Sequence, residues 1–344
     1  MGTSECHGGD PGRWEATAGA SRSVSTESEV GLPLTKLALA RLGFVLRARL
    51  GGRLPVYKGS LLRSVLGAAL KRISCPFPGR QCDECTLAAR CVFWQVFRTP
   101  MPDGLGFGGD FAPHPFVISP GDFGKVTYEA GERMAFRLTL VGRGIELLPY
   151  FVAAFQVAGE RGLGSERTPF EVEVVGALEG TGKWVQVWPE QEGDGVPELT
   201  WRDVPWPEGE SAVLHFVTPV RLQEKGRLVT RLDFPLLTET LARRVQALGR
   251  AHCVGGEGDS RESERRTVAG RAGAVGGAGS SAVAVGHGGE GSEDDWIGEM
   301  RELAGKVGAR PLRGTSVSRK HYSSRQRHEF ELRGALGALR LGEG

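Results

Sequence analysis

Four cysteines fall within seventeen residues of this chain, as Cys75-x6-Cys82-x2-Cys85-x5-Cys91. Thiolates two residues apart can chelate one tetrahedral ion from a single turn, and two outer cysteines close the shell. Zinc is the first expectation; a cysteine-bound iron–sulfur cluster is the alternative, because four thiolates serve either. Four protein ligands leave no open position for water, so the role is structural. Pro76, Pro78, Gly79 and the Asp83-Glu84 pair give the stretch the character of a knuckle loop between a helix and a strand. Six cysteines in 344 residues do not make a disulfide scaffold.

A second chemically loaded run is Ser318-Arg-Lys-His-Tyr-Ser-Ser-Arg-Gln-Arg-His328, with four cations, two histidines and a tyrosine in eleven residues. Lys320, Arg325 and Arg327 can neutralise phosphates, Tyr322 can stack on a base, and His321 can exchange a proton near neutral pH. The plainer reading is a polar hairpin turn with solvated charge. The other histidines carry less: His114 is pinned between prolines, and His7, His252 and His287 lie in or beside glycine-rich stretches.

A third is the turn from Gly159 to Arg167 (GERGLGSER). Gly159, Gly162 and Gly164 permit positive φ and close approach to another backbone, such as a phosphodiester chain. Arg161 and Arg167 add charge. The turn follows a helix and precedes a strand, the wrong order for a P-loop or a Rossmann fingerprint, which argues against nucleoside-triphosphate chemistry. Ahead of the first helix, Tyr57 and Lys58 are exposed by position, and Lys58 reads as a phosphate ligand. Ser60, Ser64, Gly67 and Lys71 line the helix face opposite its apolar arc, bordered by Arg63; small residues there let a protein or RNA surface come close.

The elements that must position these groups are legible from periodicity. Leu37–Ala48 alternates as a strand; Ser60–Ile73 places seven apolar residues on one helical arc. Phe93–Phe97 and Pro115–Ile118 are short strand candidates, Met134–Val141 is a strand, Leu147–Val157 a helix and Phe170–Val175 a strand. The order is β-α-β-β-α-β, that of a ferredoxin-like domain. A second pass gives a strand at Ala212–Val217, helices at Leu236–Leu248 and from Asp295 to about Leu303, and strands at Leu312–Ser318 and Phe330–Leu341. It stops at Gly344, one helix and one strand short. The expected fold is therefore α+β: tandem ferredoxin-like domains, the second incomplete, with a four-cysteine knuckle in the first. We place the first domain at 35–178, a connector at 179–209 and the second domain at 210–344.

Residues 1–34 read as a disordered tail, and 251–294 as a disordered insert. Twelve of the 37 residues from Gly255 to Gly291 are glycine, too little apolar surface to offset the entropy of ordering. The net charge of +2 conceals two basic segments, +10 from Lys36 to Arg98 and +6 from Arg310 to Arg340, with the acids gathered elsewhere. That is the footprint of an anionic partner, nucleic acid foremost. No stretch of about 18 apolar residues and no secretory apolar region occurs, so the expectation is a soluble cytoplasmic protein without a membrane partner.

LPVYKGSLLRSVLGAALKRISC, then C-x2-C-x5-C-VFWQVF and HPFVISP, resemble the opening of the CRISPR-associated RAMP endoribonucleases that process precursor CRISPR RNA. LTLVGRGIELLPYFVAAFQVAGERGLGSER, LHFVTPVRL, LDFPLLTETLARRVQALG and HYSSRQRHEFELRGALG follow in the family order. The resemblance implies two RRM-related domains gripping a repeat RNA, and cleavage that needs no metal. The 2′-hydroxyl attacks its own phosphodiester, leaving a 2′,3′-cyclic phosphate and a 5′-hydroxyl. His321 and Tyr322 then fit proton transfer or orientation, and Lys58 and Arg325 charge stabilisation. Subunits of a CRISPR effector complex are implied as further partners. The alternative is a non-catalytic RNA-binding subunit of such a complex. The family often carries a histidine near the first helix, and residues 57–74 contain none.

Overall fold

The computed structural model describes residues 37–77, 79, 81–102, 111–121, 124–189, 195–200, 203, 212–220, 222–224, 227–229, 233–253, 295–323 and 328–342. They divide into two units. The expected N-terminal tail and nearly all of the expected insert lie outside the described residues.

The first unit begins with β1 (Leu39–Ala48), the short β2 (Gly52–Arg53) and α1 (Gly59–Ser74). After two 3-10 turns come α2 (Val92–Phe97), β3 (Phe116–Pro120), β4 (Thr127–Tyr128) and β5 (Arg133–Val141). α3 (Leu148–Arg161), β6 (Phe170–Leu178) and β7 (Trp184–Trp188) complete it. The main sheet is antiparallel with order β3-β5-β1-β6-β7. Its first four strands, numbered by their place in the β-α-β-β-α-β sequence, run 2-3-1-4, the ferredoxin-like order. β7 lies inside the stretch expected as a connector and extends the sheet beyond β6.

Alternation explains the burial. Ala40, Leu42, Phe44, Leu46 and Ala48 of β1 enter the core with Met134, Phe136, Leu138 and Leu140 of β5. Leu62, Leu66, Ala69 and Leu70 of α1, and Phe151, Ala154, Phe155 and Ala158 of α3, close it from one face. Phe44, Phe136 and Phe155 form its centre, with ring centroids 4.9–5.2 Å apart. The other parity of β1 and β5 carries Arg41, Arg47, Arg133 and Arg137.

Phe93–Phe97 is helix rather than strand. The Gln95 N–H donates to the Cys91 carbonyl at 2.9 Å, and Phe93 and Phe97, four residues apart, stack at 5.3 Å. Periodicity cannot separate strand from helix in so short an apolar run. Tertiary packing decides it: Phe97 lies against Gly67 of α1, where an added Cβ would stand 3.3 Å from the ring. The small face of α1 thus receives α2 at this point.

The second unit contains β8 (Ala212–Val220), the pair β9 (Gln223–Glu224) and β10 (Arg227–Leu228), and α4 (Phe234–His252) as far as Gln246, its residues from Ala247 onward, His252 among them, belonging to the first unit. It continues with α5 (Asp295–Lys306), β11 (Gly308–Ser323) and β12 (His328–Gly342). The Asp233 carboxylate caps α4 by accepting from the Leu236 N–H at 2.7 Å. Leu222, Leu236 and Leu237 form a small core, and Ala242 meets Ile297 of α5. The sheet order is β11-β12-β8, the order of strands two, three and one in a ferredoxin-like unit.

Candidate RNA-binding surface

At one end of the first sheet, β2 and β4 form a two-residue ribbon pairing Gly52 with Tyr128 and Arg53 with Thr127. The turn between α3 and β6 packs against it. Leu163 and Thr168 exchange backbone hydrogen bonds of 2.7 and 3.0 Å, and the Glu166 carboxylate accepts from the Arg53 N–H at 3.1 Å. The intervening loop is held in place, with Arg161, Ser165 and Arg167 exposed at its surface.

The glycines of this loop serve the protein's own packing. Gly162 has φ +85°, and an added Cβ would stand 2.0 Å from the Arg167 carbonyl oxygen. Gly164 has φ +75° and leaves room for Leu54 and the Arg53 carbonyl. Gly159 lets α3 approach β6 so closely that a Cβ would meet the Phe170 carbonyl at 2.2 Å. Arg167 itself adopts φ +51°, in the left-handed region uncommon for a non-glycine residue. The loop therefore presents its arginines from a fixed backbone.

Lys58 corrects an expectation. It is 1% exposed, and its ammonium donates to the Lys125 carbonyl at 2.6 Å, 5.7 Å from the centre of the Tyr128 ring. α1 begins here, and its first buried turn carries the lysine inward toward the β4 strand, away from solvent. Tyr57 is half-buried, its hydroxyl lying 2.5 Å from where a Gly59 Cβ would be.

Further along α1, Arg63 is exposed and its guanidinium lies 5.8 and 5.7 Å from the Phe97 and Phe116 rings. The Lys71 ammonium lies 5.8 Å from Phe93. Arg98 is paired with Asp83 and lies 4.8 Å from the Phe111 ring. These cations belong to a different patch from Arg161 and Arg167, one built around α2.

All four cysteines, Cys75, Cys82, Cys85 and Cys91, line one cavity of about 20 Å³ beside Lys71, Phe77, Phe93 and Trp94. None is in a disulfide. Among the described residues no three metal-ligating side chains stand in a ready-made binding arrangement.

In the second unit, Lys320, His321 and Tyr322 lie on β11 in register with Glu331, Phe330 and Glu329 of β12. β8 pairs with β12 only from Ala335 onward, so this part of the hairpin is beyond the three-stranded region. Successive strand positions alternate between faces. Position 321 shares a face with 319 and 323, and position 322 shares the opposite face with 320. Arg325 and Arg327 lie outside the described residues.

Sequence reading missed two features. Arg41 and Arg137 share the sheet face opposite the helices, with Arg137 in register beside Gly43. Burial first, and then the neighbouring Arg137 charge, push the Arg41 pKa down. The signal was available in the parity of LARLGFVLRA. Arg47 and Arg133 on that face are neutralised by Glu171 and Glu173, at 2.6 Å each. The second feature is His252, 4% exposed, whose Nε2–H donates to the Pro113 carbonyl at 2.9 Å. No local pattern marks it, because its acceptor lies 139 residues away.

Strand order and helix placement define the first unit as a ferredoxin-like domain. A family model described as AF_1859_N, an N-terminal domain, matches residues 35–199. No curated protein matches the chain. Solved structures similar to it include a Cas6 product complex, at 15% identity, 89% of this chain, 86% of the other and a TM-score of 0.43. A Cas6-related protein from Pyrococcus furiosus has 9% identity over 89% and 88%, with a TM-score of 0.34. A RAMP protein described as binding different RNA substrates has 11% identity over 89% and 88%, with a TM-score of 0.30. No helix among the described residues is long and apolar enough to cross a membrane.

Proposed function

We propose that this chain is an RNA-processing protein of the CRISPR-associated RAMP type, two RRM-related domains that bind repeat RNA in precursor transcripts and cut it without a metal. The observation that supports this most is the loop from Gly159 to Arg167. It joins the second helix to the fourth strand of a ferredoxin-like unit, within the motif that resembles the RAMP endoribonucleases. Arg161 and Arg167 are exposed there on a backbone held by its own hydrogen bonds. Such a loop meets a phosphodiester chain with little further loss of conformational entropy on binding.

In the cleavage itself a base takes the proton of the 2′-hydroxyl, and the 2′-oxygen attacks the adjacent phosphorus. The 5′-oxygen leaves and takes up a proton, giving the cyclic phosphate and a free 5′-hydroxyl. Because positions 321 and 322 alternate across the strand, one of them serves a given phosphate. His321 is the better proton carrier near neutrality. Arg325 supplies positive charge for the phosphorane, as the resemblance implies. Lys58 does not share in this, since its ammonium is committed to the Lys125 carbonyl inside the domain.

The burial of Lys58 also favours a second reading, a non-catalytic RNA-binding subunit, because it removes one of the four groups expected to serve the cleavage. Incubation of the purified chain with end-labelled CRISPR-repeat RNA in EDTA separates the two. One cut ending in a cyclic phosphate, abolished by His321→Ala, supports the enzyme. A gel shift with intact RNA supports the binding subunit.

A further inference from the structure

The loop between α1 and α2 has a composition that a hydrophobic minicore does not need. Cys75 caps the C-terminus of α1, its N–H donating to the Lys71 carbonyl at 3.0 Å. Two consecutive 3-10 turns follow, Cys82–Glu84 and Ala88–Arg90. The first ends on Cys85, whose N–H donates to the Cys82 carbonyl at 3.2 Å. The second ends on Cys91, whose N–H donates to the Ala88 carbonyl at 3.1 Å. These turns bring four thiols from three separate places onto the walls of one cavity. Its volume of about 20 Å³ suits a single water-sized body.

We propose that Cys75, Cys82, Cys85 and Cys91 hold one zinc ion, which clamps the end of α1 to the start of α2. Four sulfur donors match the tetrahedral preference of zinc and fill its shell. Binding replaces four thiol protons with the ion and leaves a net charge of −2 at the centre. Lys71 lines the same cavity and offsets that charge. The four thiols line the cavity without yet standing in a ready-made binding arrangement, so binding the ion requires the two turns to rearrange. The fold has reason to need such a clamp. α2 has six residues, too short to persist alone, yet Phe97 on it packs against Gly67 and lies beneath Arg63. The same ion thereby holds the Arg63–Phe97 patch in place.

Elemental analysis of the full chain, purified without chelator, reads the site directly and needs no RNA. About one equivalent of zinc is expected, lost in the Cys82→Ser, Cys85→Ser double variant and retained in Cys253→Ser, whose thiol lies elsewhere. Cobalt added to metal-stripped protein should give the visible bands of tetrahedral thiolate coordination, which does not depend on any variant folding. Alkylation should be slow at four thiols until a strong chelator is added. Absence of zinc with chelator-independent alkylation overturns the proposal. So does a brown iron–sulfur chromophore, or a mass showing two disulfides among these four residues.

Discussion

The ammonium of Lys58 lies 2.6 Å from the carbonyl oxygen of Lys125, inside the first unit at the start of α1. A cation that sequence position would place in solvent instead ties the helix start to the strand region opposite. A buried polar contact of this kind is costly to break from one side. Lys58→Met preserves most of the stem but leaves the carbonyl without its donor. We expect a loss of about 1–3 kcal/mol in unfolding free energy, read by denaturant melts. RNA affinity measured well below the melting transition should stay within twofold. A large affinity loss in that folded variant would mean that Lys58 contacts RNA after all.

Gly159 and Gly249 should respond to alanine in opposite directions. A Cβ at 159 would collide with the Phe170 carbonyl, whereas nothing lies within 4 Å of one at 249, inside α4. Gly159→Ala should cost about 1–3 kcal/mol by forcing α3 from β6. Gly249→Ala should add up to about 1 kcal/mol through helix propensity. Paired thermal melts measure both, and equal effects would contradict the close helix–strand contact.

His252 makes stability depend on pH. Burial first, and the nearby Arg143 charge, hold its pKa below 6.5, against an opposing contribution from its hydrogen bond to Pro113. Unfolded, the imidazole returns to an ordinary pKa and takes up a proton more readily than in the native state. The stability it contributes is therefore present above about pH 6.5 and is lost as pH falls below that value. Thermal melts between about pH 7.5 and pH 5.5 should show a decline that is reduced in His252→Gln. An identical decline in the variant would assign the effect to other groups.

Arg161 and Arg167 should bind phosphates. Replacing both with alanine should weaken repeat-RNA binding and lower the slope of log K against log salt by about 0.7 for each phosphate no longer neutralised. Arg47 and Arg133, already neutralised by glutamates, should change that slope less when replaced. Filter binding over a salt series distinguishes the two pairs. Similar slopes for both would remove the loop from the interface.

The strand over 39–48, the helix over 59–74 and the paired helix and strand at 148–178 could be read from periodicity, because each turns one apolar face toward a single core. The helix at 92–97 could not. Its six residues fit either period, and Phe97 resting on Gly67 selects the helix. The same packing explains the glycine in the small face of α1, which from sequence looked equally suited to RNA. β7, by contrast, carries a legible strand signal in Trp184-Val-Gln-Val-Trp188, and its pairing with β6 adds only its place at the sheet edge.

Cysteine spacing by itself determined that four thiols lie near one another, and the glycine spacing determined a tight turn after α3, because both follow from the short reach of the local chain. The direction of Lys58, the parity that separates position 321 from 322 in the β11–β12 hairpin, and the burial of His252 were decided only by tertiary structure. Each depends on a partner strand or carbonyl far away in sequence, and local composition does not encode which distant group the fold will bring there. That is also why the cationic run at 318–328 could name candidate chemical groups, while only the strand could place positions 320 to 322 on alternate faces.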